Sequence, residues 1–315
     1  MNLDFFVIMS SLVSLFALIA VGYLAVKSGV LKPEASAYFS VFLLKVTLPC
    51  TIFISLTQKE YDPAFVHDSM IIIFAGLIAY SGMQYISSVL AKPLGVPEGC
   101  RGLWAFTCAY NNCGFMGFPI TLALLGAEGL ALSVMLTIAF NLTVYSFGAM
   151  AIAGDRPDHK AEGLSMKGII FSAVNIATVL SLIFYFGGLK VPAMIASPLT
   201  HLSNITTPLS MVITGMALAH SSGMELLADG YAWLSALMRL VVYPVVICLI
   251  LRVIPFGSSP MAAAVFVLIM AMPAASNTVL LCEVYHGNME FAAKVMFIQN
   301  VLCIVTIPAV CMLLG

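Results

Sequence analysis

An all-α polytopic membrane protein with ten transmembrane helices is the fold this sequence predicts, and three observations predict it. Hydrophobic residues occupy 62% of the 315 positions and charged residues 9%, against roughly one quarter charged in soluble domains. The apolar residues gather in runs of about 20, the length that crosses a hydrocarbon core of about 30 Å. The polar punctuation between runs is short, so ten spans consume the chain and leave no room for a soluble domain. The lipid bilayer is therefore an expected partner. A net charge of −1 gives no sign of a nucleic-acid one.

Span 1 covers 5–26, 22 residues without a charge that end at Lys27. The chain begins MNLD, with an acid where a cleaved leader carries basic residues, so this stretch is expected to remain as a helix. Span 2, 35–57, lies between Lys32 and Lys59 and contains Lys45. Span 3, 68–91, stops before Lys92. Span 4, 101–126, opens on Arg101 and then runs through the 26 uncharged residues that extend from Gly102 to Ala127, and span 5, 129–153, ends at the long polar connection GDRPDHKAEGLSMKG, 154–168. Spans 6 and 7, 167–187 and 194–219, flank GGLKVP. Span 8, 230–252, ends at Arg252, and spans 9 and 10, 259–283 and 289–313, are joined through CEVYHGN.

The central polar connection divides the chain into a first five-helix repeat, 1–153, a cytoplasmic linker, 154–167, and a second five-helix repeat, 168–315. One constant offset of 159 positions places Gly29 on Gly188, Pro33 on Pro192, Pro49 on Pro208 and Asn141 on Asn300. An odd number of spans per half reverses the polarity of the second half, so duplication yields two inverted repeats, a plan common among transporters. Lys27, Lys32, Lys92, Arg101, Arg156, Lys160, Lys167 and Lys294 fall on one side of the spans, and Lys59, Lys190 and Arg252 on the other. The positive-inside bias puts the first group in the cytoplasm and both termini outside, in a multi-pass protein of the cytoplasmic membrane. The eight Cys have neither Cys-x-x-Cys nor His-paired spacing and read as small buried apolar residues, so no metal site is expected.

Two spans carry groups that a lipid-facing helix avoids. Span 4 contains NNCGFMGFPI, 111–120, and span 9 contains AMPAASNTVL, 271–280; each puts a Pro and an Asn at mid-membrane depth. Proline removes a backbone donor and clashes with the carbonyl four residues back. The groups it frees must be buried or line a cavity. Pro119 and Pro273, with Gly117, are the expected helix breakers. Asn112, Asn277 and Ser276, together with the neighbouring Asn111 and Gly114, are candidates to satisfy the freed backbone or a ligand, since an amide both donates and accepts. Two broken helices meeting at the midplane aim half-helix N-termini at one point, which suits a carboxylate. The plain alternative is that each proline merely kinks a packed helix.

The isolated cations add to this reading. Lys45 lies about ten residues into span 2, roughly 15 Å along its axis. No Asp or Glu lies near the centre of spans 1–8 to pair with it. It is read either as a group facing an anion path or as a side chain that snorkels to the headgroups. Arg239, in span 8, is expected to be structural, snorkelling or pairing with Glu283. His201, Asn204 and Thr206 of span 7, like Asn141 and Asn300, read either as cavity-lining groups or as polar contacts between helices.

LPCTIFISL (48–56), NNCGFMGFPI, MPAASN (272–277) and CEVYHGN (282–288) resemble, in order and spacing, the auxin efflux carrier family, over nearly the whole chain. The resemblance implies an inverted-repeat fold shared with bile-acid sodium symporters, in which spans 4 and 9 are unwound and cross at the substrate site. It also implies an elevator motion of spans 3–5 and 8–10 against spans 1, 2, 6 and 7, a homodimer through the latter, and an organic-anion substrate such as malonate, malate or an auxin. Asn112 and Asn277 take the crossover asparagine positions. Asn112 and Pro119 are seven apart where the plant carriers have Asn-Pro adjacent, a departure that argues against auxin itself.

The expected function is secondary transport of a small organic anion. An enzyme is not expected, because neither a metal-protease motif nor a central aspartate pair is present. A proton antiporter would need midplane acids. A sodium-coupled symporter of the same fold, an anion channel and a non-transporting membrane receptor remain the alternatives. No cofactor is expected, and coupling to Na⁺ or H⁺ stays open.

Overall fold

The computed structural model describes residues 5–32, 34–155, 172–220 and 228–314. Pro33 and most of the polar connection, including Arg156, Lys160 and Lys167, lie outside the described residues. Helices make up the regular structure of the described residues, and their one extended pairing is an antiparallel bridge between Asn111 and Ala274.

α1 is Phe5–Lys27, and α2 runs Ala35–Thr57 through a π turn at Leu43–Thr47. α3, Pro63–Ala91, begins five residues before the expected boundary. Asp62 caps it, accepting from Ala64 N–H at 2.9 Å, and Pro63 suits a first turn that needs no donor. α4 is short, Arg101–Ala109. After an unwound stretch and a π turn at Cys113–Gly117, α5 covers Phe118–Thr143 and continues through a second π turn, Val144–Gly148, into α6, Ala149–Gly154. Gly126, with φ 67° and ψ −165°, turns the chain inside α5 in a conformation open to glycine alone. The expected boundary between spans 4 and 5 falls there.

α7 is Ala173–Phe186, α8 Ala193–His220, and α9 Gly230–Val253 with a π turn at Met238–Val242. Span 9 divides into α10, Pro260–Met270, and α11, Thr278–Val284; α12 is Met289–Leu314. Among the described residues seven stretches are long and apolar enough to cross a membrane, alongside the shorter apolar α7 and α10. Seven is fewer than the ten expected: the expected spans 4 and 9 are interrupted, and the legs either side of Gly126 join into one stretch, Cys113–Gly154.

Three of the π turns have one local cause. Those ending at Thr47, Gly117 and Val242 each precede a proline by two residues: Pro49, Pro119 and Pro244. Proline cannot donate to the carbonyl one turn back and pushes it away, and a widened turn accommodates that carbonyl. The expectation that Pro119 breaks its helix is thereby corrected. It sits in the first turn of α5, past the interruption, and with Gly117 shapes the π turn. A Cβ on Gly117 would lie 2.7 Å from the Ile269 side chain. Pro273 does lie inside an unwound stretch.

Close backbone approach holds the elements around these breaks. α1 crosses α8 where a Cβ on Gly215 would meet the Ile19 carbonyl at 1.9 Å and one on Gly22 the Val212 carbonyl at 2.0 Å; small residues allow such contact between membrane helices. α2 packs on α7 and α8, and α3 on α4 and α5. Thr206 bonds Thr51 across the α2–α8 contact at 2.7 Å, which gives it the inter-helix role. None of the eight cysteines forms a disulfide among the described residues, and seven of them are buried.

α4 receives its N-terminal cap from a distant residue. Asp155, just after α6, accepts from Gly102 N–H at 2.8 Å and Leu103 N–H at 2.9 Å. Asp155→Ala should therefore lower stability by about 1 kcal/mol, read as a fall in thermal midpoint of the purified protein. An unchanged midpoint would show that solvent caps α4 equally well.

Candidate functional site

The two interruptions, Tyr110–Asn112 and Ala271–Asn277, lie side by side. Asn112 N–H donates to Pro273 O at 2.7 Å and Ala275 N–H to Tyr110 O at 3.1 Å, the bonds that flank the Asn111–Ala274 bridge. Each break thus supplies partners for backbone groups freed in the other, as an apolar setting demands. Side chains supply most of the remainder. Gln299 of α12 accepts from Ala274 N–H at 2.7 Å and donates to Ser235 at 3.0 Å. Asn111 is fully buried; its Nδ2 donates to Ile269 O, and its Oδ1 accepts from Tyr80 at 2.9 Å.

Arg239 completes the set. It is fully buried in the π turn of α9, where the expected pairing with Glu283 is not found: Glu283 is exposed at the end of α11. The guanidinium instead donates to carbonyls at the two helix ends. Nε reaches Met272 O at 3.0 Å, Nη1 reaches Ala109 O at 2.9 Å and Cys108 O at 3.3 Å, and Nη2 bonds Met270 O.

Beside the crossing is a cavity of about 1330 Å³, above the range typical of small-molecule pockets. Of the candidate site residues, Lys45, Asn111, Asn112, Gly114, Ser276 and Asn277 all line it, as do Asn141 and Asn300. Gly117, Pro119 and Pro273 do not line it but shape the backbone that does, and His201 and Asn204 are exposed elsewhere.

The lining groups differ in what they have left to offer. Asn112 Oδ1 accepts from Phe115 N–H at 3.1 Å, capping the turn into α5, so its Nδ2 remains as a donor. Asn111 has turned both ends of its amide to protein partners and acts chiefly as a brace. Asn277 Oδ1 and Asn300 Oδ1 have no hydrogen-bond partner among the described residues. The Tyr145 side chain faces Asn277, and Asn300 Nδ2 bonds Met296 O at 2.8 Å. Lys45 is exposed along the cavity wall, with no carboxylate within ion-pair distance among the described residues.

Sequence reasoning missed Tyr80, Gln299 and the role of Arg239. Gln299 stands next to Asn300, one of the matched repeat positions, and a glutamine inside an apolar span was its available signal.

The membrane transport protein family matches residues 7–311. The chain is 27% identical over 302 residues to an uncharacterized transporter of Methanothermobacter thermautotrophicus, covering 95% of both proteins. It is 24% identical over 302 residues to an uncharacterized transporter of Methanocaldococcus jannaschii, covering 92% of this chain and 93% of that one. A Rhizobium meliloti protein named "putative malonate transporter" is 23% identical over 299 residues, 93% of this chain and 91% of the relative. With apolar helices fit to cross a bilayer several times and a family match along almost its whole length, the chain is a multi-pass membrane protein that belongs to the membrane transport protein family, to which the auxin efflux carriers correspond.

Proposed function

We propose that the protein is a secondary carrier of a small organic anion, which it binds in the cavity beside the two interrupted helices. The observation that carries this reading is the convergence on one cavity of a cation, Lys45, and a free amide donor, Asn112 Nδ2, at the start of α5. Both complement a carboxylate, and the positive end of α5 adds to them. Malonate, the substrate in the name of the Rhizobium relative, is the first probe. A thermal-shift screen of the purified protein against mono- and dicarboxylates, with and without Na⁺, tests the reading, because a ligand of the native state raises apparent stability. A screen in which no carboxylate raises the midpoint would count against an anion site.

The proposed architecture is ten spans in two inverted repeats, 1–153 and 168–315, moving as an elevator with a core of spans 3–5 and 8–10. Gly29 and Gly188, matched by the repeat offset, share positive φ values of 77° and 62°, and the matched Asn141 and Asn300 line the same cavity. These equivalences support the duplication. A homodimer through spans 1, 2, 6 and 7 belongs to the same proposal.

The proposed orientation in the cytoplasmic membrane has both termini outside. A Cys placed near Asp158 in a Cys-free background should then react with a membrane-impermeant thiol reagent only after the cells are opened. Labelling of intact cells would reverse the orientation.

Sodium coupling is a second reading, favoured by the oxygens of Asn277 and Asn300, which lack hydrogen-bond partners among the described residues. Na⁺ takes neutral oxygens without requiring a carboxylate. Sodium-dependent uptake in proteoliposomes would select it, whereas equal uptake in K⁺ and Na⁺ buffers would remove it.

A further inference from the structure

We propose that Arg239 is a positioning residue that neutralises the C-terminal ends of α4 and α10, so that an anion can occupy the cavity beside them. This rests on the anion-carrier reading above. The aligned peptide units of a helix place roughly half a negative charge at its C-terminal end. α4 and α10 end at the same crossing, which gathers about one negative charge there, next to Asn111, Asn112 and Ala275 of the cavity wall. Left uncompensated, that charge would push the two helix ends apart and repel a carboxylate.

One guanidinium answers both ends. Arg239 bonds Cys108 O and Ala109 O at the end of α4, and Met270 O and Met272 O at and just beyond the end of α10. Among the described residues no Asp or Glu forms an ion pair with it. A buried cation without a carboxylate is costly unless the surroundings supply matching negative potential, and here two helix ends supply it. Arginine fits because its planar fork can address two pairs of carbonyls at once. Arg239 does not line the cavity, so it acts through the backbone it holds.

Arg239→Lys and Arg239→Gln both retain donors and differ in charge. Each is purified and compared with wild type in binding malonate, in binding malonamide as its neutral counterpart, and in thermal midpoint. Arg239→Lys should keep malonate affinity close to wild type but melt lower, because the charge persists while the fork that reaches four carbonyls is lost. Arg239→Gln should bind malonate roughly tenfold more weakly, the scale of a buried charge–dipole contact, with malonamide affinity the same in all three proteins. Wild-type malonate affinity in Arg239→Gln overturns the proposal. If Arg239→Gln fails to fold while Arg239→Lys folds, charge is what brings the helix ends together, and the proposal stands. If neither folds, charge is insufficient, and the proposal falls. Should wild type itself bind no malonate, the anion reading fails for that probe, and the midpoints still decide: a higher midpoint for Lys than for Gln supports neutralisation, and equal midpoints overturn it.

Discussion

Asn112→Ala and Asn277→Ala should each abolish most transport while leaving a folded, membrane-inserted protein. The two asparagines stand at the starts of the second halves of the interrupted helices, and both line the cavity. Their losses should separate in stability. Asn112 caps the turn into α5 through Phe115 N–H, so its alanine variant should be less stable by about 1 kcal/mol. Asn277 Oδ1 is buried without a hydrogen-bond partner among the described residues, so removing it relieves a desolvated acceptor, and Asn277→Ala should melt at or above the wild-type midpoint. Uptake into proteoliposomes, measured beside the melting curves, checks both halves. Wild-type transport by both variants would sink the site assignment. Loss of transport in Asn277→Ala together with a stabilised fold is a result that a purely structural asparagine would not produce.

The second large effect is expected at Lys45. Lys45→Met keeps an apolar stem of similar length and removes the charge, and it should weaken anion binding. If the ammonium bonds the carboxylate directly, the loss is about 1.5–3 kcal/mol, or roughly ten- to hundred-fold. Lys45→Arg should retain part of the activity, because charge persists while shape changes. Folding should be little affected, since Lys45 is exposed along the cavity and no carboxylate pairs with it among the described residues. Unchanged affinity and wild-type uptake in Lys45→Met would reduce Lys45 to a snorkelling side chain and leave Asn112 Nδ2 as the main donor to the anion.

The candidate site was legible in the sequence to an unusual depth, for a reason particular to membranes. In a lipid-facing helix an amide, a lysine or a glycine–proline cluster is costly, so NNCGFMGFPI, MPAASN and Lys45 stood out against an apolar background. The structure brings all six substrate-binding candidates to one cavity. Less legible was which group would spend its hydrogen bonds on protein. Asn111 and Asn112 are adjacent and chemically identical, yet Asn111 is turned to Tyr80 and Ile269 while Asn112 keeps its Nδ2 at the cavity. No local pattern distinguishes them, because the partners lie 31 and 158 residues away.

What the sequence determined by itself was residence in a membrane, a set of apolar helices, and that the segments holding NNCGFMGFPI and MPAASN are interrupted. These follow from transfer energies and proline chemistry, which act residue by residue. Tertiary structure decided where the first helix stops, at Tyr110 rather than at Pro119, because the backbone can unwind only where another unwound strand is present to take its bonds. It also decided the meaning of Arg239. A cation amid apolar residues announces a partner, but here the partner is the meeting of two helix ends, from residues 108–109 and 270–272, which exists only once the chain has folded.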